Sequence, residues 1–437
     1  MNVGFISLGC SKNLVDTEMT IGLMIKKGMK IVNNPKEADM IVINTCGFIT
    51  SAKEEAIATI LEMAEYKKKR CQYLVVMGCL VERYQQELKK EMPEVDLFLS
   101  IGEYDSLWEK IEKLIGKKSV VEEDNTLSYM DRILSTGKNM AYLKIAEGCS
   151  NHCTYCAIPA IRGPFISRPM EEILEEAEKI AKQGITELIV IAQDTTKYGI
   201  DLYGKPKLAE LLKKLCKISG FKWIRFLYAY PETITDELIK VVKTEDKICK
   251  YFDIPIQHIS NPVLKRMNRK STGESIKELM KKLRMEIPDV ILRTTLIVGF
   301  PGETEEDFKR LYEFVKGTRF DKLGVFQYSK EEGTPAARLK EQIHPSTKKS
   351  RYNKIMKLQQ GISKERLEEK VGKTYSVLIE AKSFDGNYYI GRTYMDVPDI
   401  DGYVYIRIDD KKEDKINQYV TCKITGVQEY DLIGELV

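Results

Sequence analysis

The chain of 437 residues, 43% apolar and 31% charged, is long enough for two or three separately cored domains and too apolar to be disordered. No run reaches the ~20 uncharged apolar residues that span a bilayer, and the start, MNVGFISLGC, reads as a strand, not a leader. The expectation is a cytoplasmic protein with no membrane partner. A formal charge of +4 from 69 basic and 65 acidic side chains offers no global polycation to hold nucleic acid.

In chain order, residues 1–124 alternate short β-branched runs (VGFISLG, ADMIVINT, YLVVMG) with amphipathic stretches, one through Met24 to Lys27 and a long one from about Ser51. That alternation predicts an open parallel α/β sheet with crossover helices. Each of the three runs ends in a cysteine, Cys10, Cys46 or Cys79. Because ligands bind at the carboxyl ends of parallel strands, the three thiols are expected at one rim. Periodicity lapses over residues 125–139, which reads as a linker.

Residues 140–371 repeat the alternation with six candidate strands: AYLKIAE, ELIVIAQD, WIRFLYAY, YFDIPIQ, VILRTTLIVG and KLGVFQYS. Six βα units are too few to close an eight-stranded barrel, so a partial barrel is predicted. A polar helical segment, Ser346 to Lys370, ends at Val371-Gly372 like a helix C-cap. Residues 372–437 are aromatic and β-branched with turn signals, the pattern of a small all-β barrel. Charge is split unevenly: −3 over residues 1–137, +11 over the middle and −4 over residues 372–437.

Cys149, Cys153 and Cys156 form C-x3-C-x2-C in EGCSNHCTYCAIP, directly after the first strand of the middle unit. Three thiolates on a cubane iron–sulfur cluster leave one iron open to a ligand, whereas zinc loops bring paired C-x2-C units or histidines, and His152 alone does not supply them. For Cys71, Cys216, Cys249 and Cys422 no partner spacing exists, and ordinary core thiols are expected.

The three-cysteine loop in this strand context resembles the radical S-adenosylmethionine (SAM) superfamily. The resemblance implies that the open iron binds the amino and carboxylate groups of SAM, and that reductive cleavage yields methionine and a 5'-deoxyadenosyl radical. The run Ile297-Val298-Gly299-Phe300-Pro301-Gly302-Glu303-Thr304 looks like the superfamily's glycine-containing turn near the adenine, which makes Gly299, Pro301, Gly302 and Glu303 candidate cofactor-binding residues.

With Cys10 in LGCSKN, Cys46 in NTCGF and Cys79 in GCL ahead of such a core and a TRAM-like β domain behind it, nearly the whole chain resembles the methylthiotransferases. This implies a second [4Fe-4S] cluster on that trio, carrying the sulfur to be inserted. Gln193-Asp194-Thr195-Thr196, Pro255-Ile256-Gln257-His258, Tyr328 to Thr334, Gly391-Arg392-Thr393 and Asp399-Ile400-Asp401-Gly402 look like the RimO branch. The resemblance then implies methylthiolation of an aspartate β-carbon in ribosomal protein S-twelve, a low-potential donor such as flavodoxin or ferredoxin, and no nucleic-acid contact except through the ribosome.

Gln193, Asp194 and Arg293 are candidate cofactor contacts; His258 and Arg225 could touch SAM or substrate, or only pair locally. The acidic terminal domain, with Asp399, Asp401, Asp409, Asp410 and Asp414, suits a basic protein loop better than phosphate. Two rival readings are a transfer-RNA methylthiotransferase, favoured by the +11 middle, and a non-catalytic electron-transfer or RNA-binding protein.

Overall fold

The computed structural model describes residues 1–116, 125–408 and 414–437. In the first unit, β1 (Asn2–Ser7), β2 (Lys30–Val32), β3 (Met40–Thr45), β4 (Tyr73–Gly78) and β5 (Leu97–Leu99) form one parallel sheet in the order β2-β1-β3-β4-β5. The crossovers are α1 (Ser11–Lys26), α2 (Thr50–Ala64) and α3 (Cys79–Glu91), with α4 (Leu107–Ile115) following β5. β3 and nearly all of β4 are buried, as a parallel sheet covered on both faces requires.

The predicted linker is an anchored strap. Arg132 donates to Glu18 at 2.9 Å and Ser135 donates its amide to the same carboxylate at 2.7 Å. Gly22 of α1 lets the strap lie against the helix, since a Cβ there would stand 2.1 Å from the Asp131 carbonyl oxygen.

The middle unit opens with β6 (Met140–Lys144) and β7 (Ala146–Glu147), then α5 (Ile158–Arg162), β8 (Ile166–Ser167), α6 (Met170–Lys182) and β9 (Glu187–Ile191). It continues through α7 (Ile200–Tyr203), α8 (Leu208–Cys216), β10 (Trp223–Phe226), α9 (Asp236–Thr244), β11 (Tyr251–Asp253), α10 (Asn261–Arg266) and α11 (Gly273–Glu286). β12 (Ile291–Val298), α12 (Glu305–Thr318), β13 (Lys322–Gln327) and α13 (Pro345–Glu368) complete it. Strands β10-β9-β6 and β11-β12-β13 pair in parallel, and a parallel bridge from Ile224 to Ile248 links the halves. β6 and β13 do not pair with each other, so the six-stranded barrel stays open, as its six units predicted. Alternation along β12 explains its two faces: Leu292, Leu296 and Val298 pack on the helices, while Arg293, Thr295 and Ile297 point to the concave side.

The terminal unit is a closed five-stranded barrel in the order β14-β15-β16-β18-β17, built from β14 (Thr374–Lys382), β15 (Tyr388–Arg392), β16 (Val404–Arg407), β17 (Tyr419–Val427) and β18 (Leu432–Leu436). It shares one apolar cluster with the rest of the molecule: Val15 and Met19 of α1, Tyr142, Ile189 and Leu227 of the open barrel, and Val377, Ile379 and Val404 of the closed one. Arg225 and Arg392 converge on Glu187 inside this contact, at 2.8 and 2.7 Å, with all three side chains fully buried. Arg225 is therefore a tie between units and contacts no open space, which resolves its sequence alternatives in favour of local pairing. Among the described residues, no helix is long and apolar enough to cross a membrane.

Candidate functional site

The three strand-end cysteines of the first unit meet. Gly9 has φ 90° and sits so close to Cys46 that a Cβ on it would lie 2.6 Å from the Cys46 Cβ. Gly78, at φ 102°, turns β4 directly into α3, whose first residue is Cys79. Asn13 stitches the rim together: its amide donates to the Leu8 and Thr45 carbonyls at 3.1 and 3.0 Å. Its Oδ1 faces the thiols of Cys79 at 3.5 Å and Cys10 at 3.9 Å. Cys10 caps α1 and Cys79 begins α3, so two of the thiols lie at helix N-termini.

The loop carrying Cys149, Cys153 and Cys156 is clamped by three segments of the chain. Gly148 adopts φ 71°, and a Cβ there would stand 1.9 Å from the Pro164 carbonyl oxygen. The Cys149 amide donates to Gly163 O at 3.1 Å, and that of Thr154 to Met267 O at 3.1 Å. Asn268 donates to His152 O at 2.9 Å. The Cys153 thiol lies 3.7 Å from the Tyr230 hydroxyl.

Burial pushes the Cys79 and Cys156 thiols up to about 12 and also raises Cys46 and Cys149. A cluster would take these thiols as thiolates, so its binding would release their protons. Among the described residues no three His, Cys, Asp or Glu side chains close on a single metal ion. In a cubane the thiolates hold separate irons and need not close on one point.

The two cysteine sets are joined by a buried polar chain. Arg162, at the end of α5, donates to Asn13 Oδ1 at 2.6 Å, to Asp16 at 2.9 Å and to Glu147 at 3.0 Å. Glu147 lies two residues before Cys149, accepts from Lys144 at 2.9 Å and receives Gln193 Nε2 at 3.0 Å. Cys79 also packs against Ala157 and Ile161 of the segment that follows Cys156. A cavity of about 600 Å³ opens beside the trio, bordered by Cys10, Ser11, Tyr142, Tyr228, Asp399 and Ile400, so all three units form its wall. A second, of about 500 Å³, lies across the Ile400–Gly402 loop and is bordered by Arg293 and Asp401. A cavity of about 690 Å³ between α11 and α12 is remote from every one of these residues.

The other sequence candidates divide. Gln193 stands beside the three-cysteine loop with its Oε1 buried and unpartnered, an acceptor available to a bound cofactor. Asp194 is fully buried, accepts from Asn151 at 2.8 Å and Thr196 at 2.7 Å, and is raised by burial. Gly299 and Gly302 take positive φ (70° and 79°), and the Glu303 carboxylate folds back onto the amides of Gly299 and Phe300. Burial raises Glu303 to about 7. Glu303 thus shapes the turn, in which Gly299 and Pro301 are buried and Gly302 is half-buried, with Lys348 and Arg266 packed against the two glycines.

Arg293 pairs with Asp253 at 2.8 Å. His258 is completely buried, accepts the Ser260 amide at Nδ1 and borders none of the cavities described above, while among the described residues its buried Nε2 has no hydrogen-bond partner. Cys71, Cys249 and Cys422 are buried core thiols and Cys216 is half-buried, as expected of residues without partner spacing.

Asp401 corrects the picture of the terminal barrel as a uniformly acidic exterior. It turns inward, accepts from the Tyr251 hydroxyl at 2.7 Å and the Val397 amide at 2.9 Å, and faces Arg293. Asp414 is exposed and pairs with Lys382 at 3.2 Å. Asp409 and Asp410 lie outside the described residues.

Sequence reasoning missed Asn13, Arg162, Glu147, Lys12 and Tyr228. Only the LGCSKN context carried a signal for two of them, because Lys12 and Asn13 adjoin Cys10. Lys12 is buried, and burial lowers its ammonium to about 8.

Comparison with known proteins agrees with this geometry. The Radical SAM superfamily model matches residues 143–315, the TRAM domain model residues 371–437, and an uncharacterized protein family, UPF0004, residues 2–100. The ribosomal protein uS12 methylthiotransferase RimO of Alkaliphilus oremlandii is 66% identical over 436 residues, covering 100% of this chain and 99% of its own. The RimO proteins of Acetivibrio thermocellus and Clostridioides difficile are 52% and 51% identical, covering 100% of this chain and 98% and 99% of theirs.

In fold, the chain is similar to the radical SAM methyltransferase TsrM from Kitasatospora setae, solved with cobalamin and a [4Fe-4S] cluster. The TM-score is 0.59 at 12% identity, over 86% of this chain and 77% of that one. Two three-cysteine sets on adjoining units, an open six-stranded barrel, a closed terminal barrel and full-length identity of this order lead to one conclusion: the chain belongs to the RimO family of radical SAM methylthiotransferases.

Proposed function

We propose that this enzyme inserts a methylthio group at the β-carbon of an aspartate in ribosomal protein uS12, the small-subunit protein S-twelve. As a radical SAM methylthiotransferase it uses SAM and two [4Fe-4S] clusters. Cys149, Cys153 and Cys156 would hold one cluster, and Cys10, Cys46 and Cys79 the other. Bound there, the reduced cluster with SAM supplies a radical able to take hydrogen from unactivated carbon, and the second cluster supplies sulfur.

The chain's own part is placement. The clamps on Gly148, Thr154 and His152 fix the loop, and the unpartnered Gln193 Oε1 offers a polar contact to a SAM molecule. The Asn13–Arg162–Glu147 chain holds the two cysteine sets at one separation, and this single observation carries the proposal. Such fixed geometry is what sequential chemistry on one substrate carbon requires.

The terminal barrel's charge of −4 supports a basic protein segment over a phosphate backbone as the substrate. A low-potential donor such as flavodoxin or ferredoxin and a cytoplasmic setting complete the reading. The test is mass spectrometry of a uS12 peptide and of adenosine-modified transfer RNA, each incubated with reconstituted enzyme, SAM and reductant. A gain of one methylthio group on the peptide aspartate is expected. Modified transfer RNA with unmodified peptide would overturn the substrate assignment.

A further inference from the structure

Lys12 enters the interior one residue after Ser11, with 5% of its surface exposed. Its ammonium stands 3.1 Å from the centroid of the Tyr228 ring. Among the described residues it has no hydrogen-bond or ion-pair partner. The surrounding carboxylates are committed to other groups. Asp253 accepts from Arg293 at 2.8 Å and from the Tyr228 amide at 3.0 Å. Glu147 and Asp16 are each shared between Lys144 and Arg162. A buried ammonium is costly unless paired, and an aromatic face offsets that only in part.

Tyr228 is itself held at φ 63°, a conformation a bulky residue adopts only when its surroundings enforce it. The Asp253 carboxylate on its amide fixes the ring beneath the ammonium. The same ring borders the cavity that Cys10 and Ser11 line. The unpaired cation therefore lies two residues from Cys10 and against one face of a ring that borders this cavity.

We propose that the Lys12 ammonium binds the side-chain carboxylate of the aspartate to be modified. This rests on the uS12 reading and deepens it: Lys12 selects aspartate over neutral side chains and holds its β-carbon, one bond from the bound carboxylate, beside Cys10. A neutral asparagine in the same place leaves the ammonium without its anion, the situation in which a polar site discriminates most strongly. Two other anions share the chemistry: the methionine carboxylate of SAM, and the negative charge of a thiolate-bound cluster.

The test uses the holoenzyme, with both clusters reconstituted, and two peptides that differ only in carrying Asp or Asn at the target position. For the wild type, kcat/KM is expected to favour Asp by about 100-fold. For Lys12→Met, the ratio should collapse to within about threefold of unity. A ratio measured on one preparation cancels the fraction of active enzyme, so partial loss of cluster in the variant does not blur the result. A Lys12→Met enzyme that keeps its preference for Asp overturns the proposal. If its KM for SAM has risen, Lys12 serves the SAM carboxylate; if only a cluster potential has moved, Lys12 balances cluster charge. A wild type that modifies transfer RNA and neither peptide removes the uS12 reading, and this proposal with it.

Discussion

Arg392 holds the terminal barrel on the open one, and its removal gives a quantitative test of that docking. Its guanidinium donates to Glu187 at 2.7 Å, to Glu380 at 2.9 and 2.7 Å, and to the Asp396 carbonyl at 2.9 Å. Arg392→Met removes all four bonds while approximately keeping the volume. Glu187, fully buried, then retains one cation, Arg225 at 2.8 Å. Breaking a buried pair by deleting one partner costs about 3–5 kcal/mol.

Glu187→Gln should cost at least as much, because it leaves two buried guanidinium groups around one neutral side chain; Arg392 falls back on Glu380, while Arg225 keeps the Tyr394 carbonyl at 3.0 Å and the Tyr251 ring at 5.2 Å. The assay is native-state hydrogen exchange of the β14 and β15 amides, which report opening of the barrel from its seat. At 1.4 kcal/mol per factor of ten, protection should fall roughly 10²- to 4 × 10³-fold. The cavity bordered by Asp399 and Ile400 would open with it, so methylthiolation should fall as well. Protection within about threefold of wild type in both variants would refute the reasoning, and the shared apolar cluster alone would then account for docking.

Replacing Cys149, Cys153 and Cys156 together by alanine should remove about half the iron and all 5'-deoxyadenosine formation, whereas replacing Cys10, Cys46 and Cys79 should remove the other half and stop sulfur insertion with SAM cleavage retained; iron analysis and product chromatography check both. Gly148→Ala drives a Cβ to 1.9 Å from a backbone oxygen and should lose iron from the three-cysteine loop alone, while Gly9→Ala, crowding Cys46 at 2.6 Å, should lose it from the trio alone; equal loss from both sets in either variant contradicts the local argument. His258 is held neutral, lowered by burial from 6.5 to about 3. A depressed folded value stabilises above pH 6.5 and the contribution is lost as pH falls toward 3, so by pH 5 about 2 kcal/mol should be gone. Urea midpoints at pH 7.5 and 5 should diverge less in His258→Asn than in the wild type.

Sequence by itself determined the units and their chemistry. Strand runs ending in Cys10, Cys46 and Cys79, the C-x3-C-x2-C loop and the glycine turn at Gly299 are local patterns, and local patterns survive in a linear reading because period and spacing are properties of adjacent residues. Six βα repeats were enough to deny closure to the middle barrel. What tertiary structure decided is everything that depends on burial and on partners distant in the chain.

Arg225 and Arg293 looked alike as polar residues near strand ends, yet one is sealed between Glu187 and the Tyr394 carbonyl and the other lines a cavity. Asp401 counted as surface charge until Tyr251, 150 residues away, claimed it. The residues that couple the two cysteine sets, Asn13, Arg162 and Glu147, have no spacing signature, since they are brought together from the start of α1, the end of α5 and the end of β7. Lys12 is the sharpest case. A lysine is solvated in almost any linear reading, and only the packing of α1 against the open barrel takes it out of water and places it over Tyr228, with no ion-pair partner among the described residues.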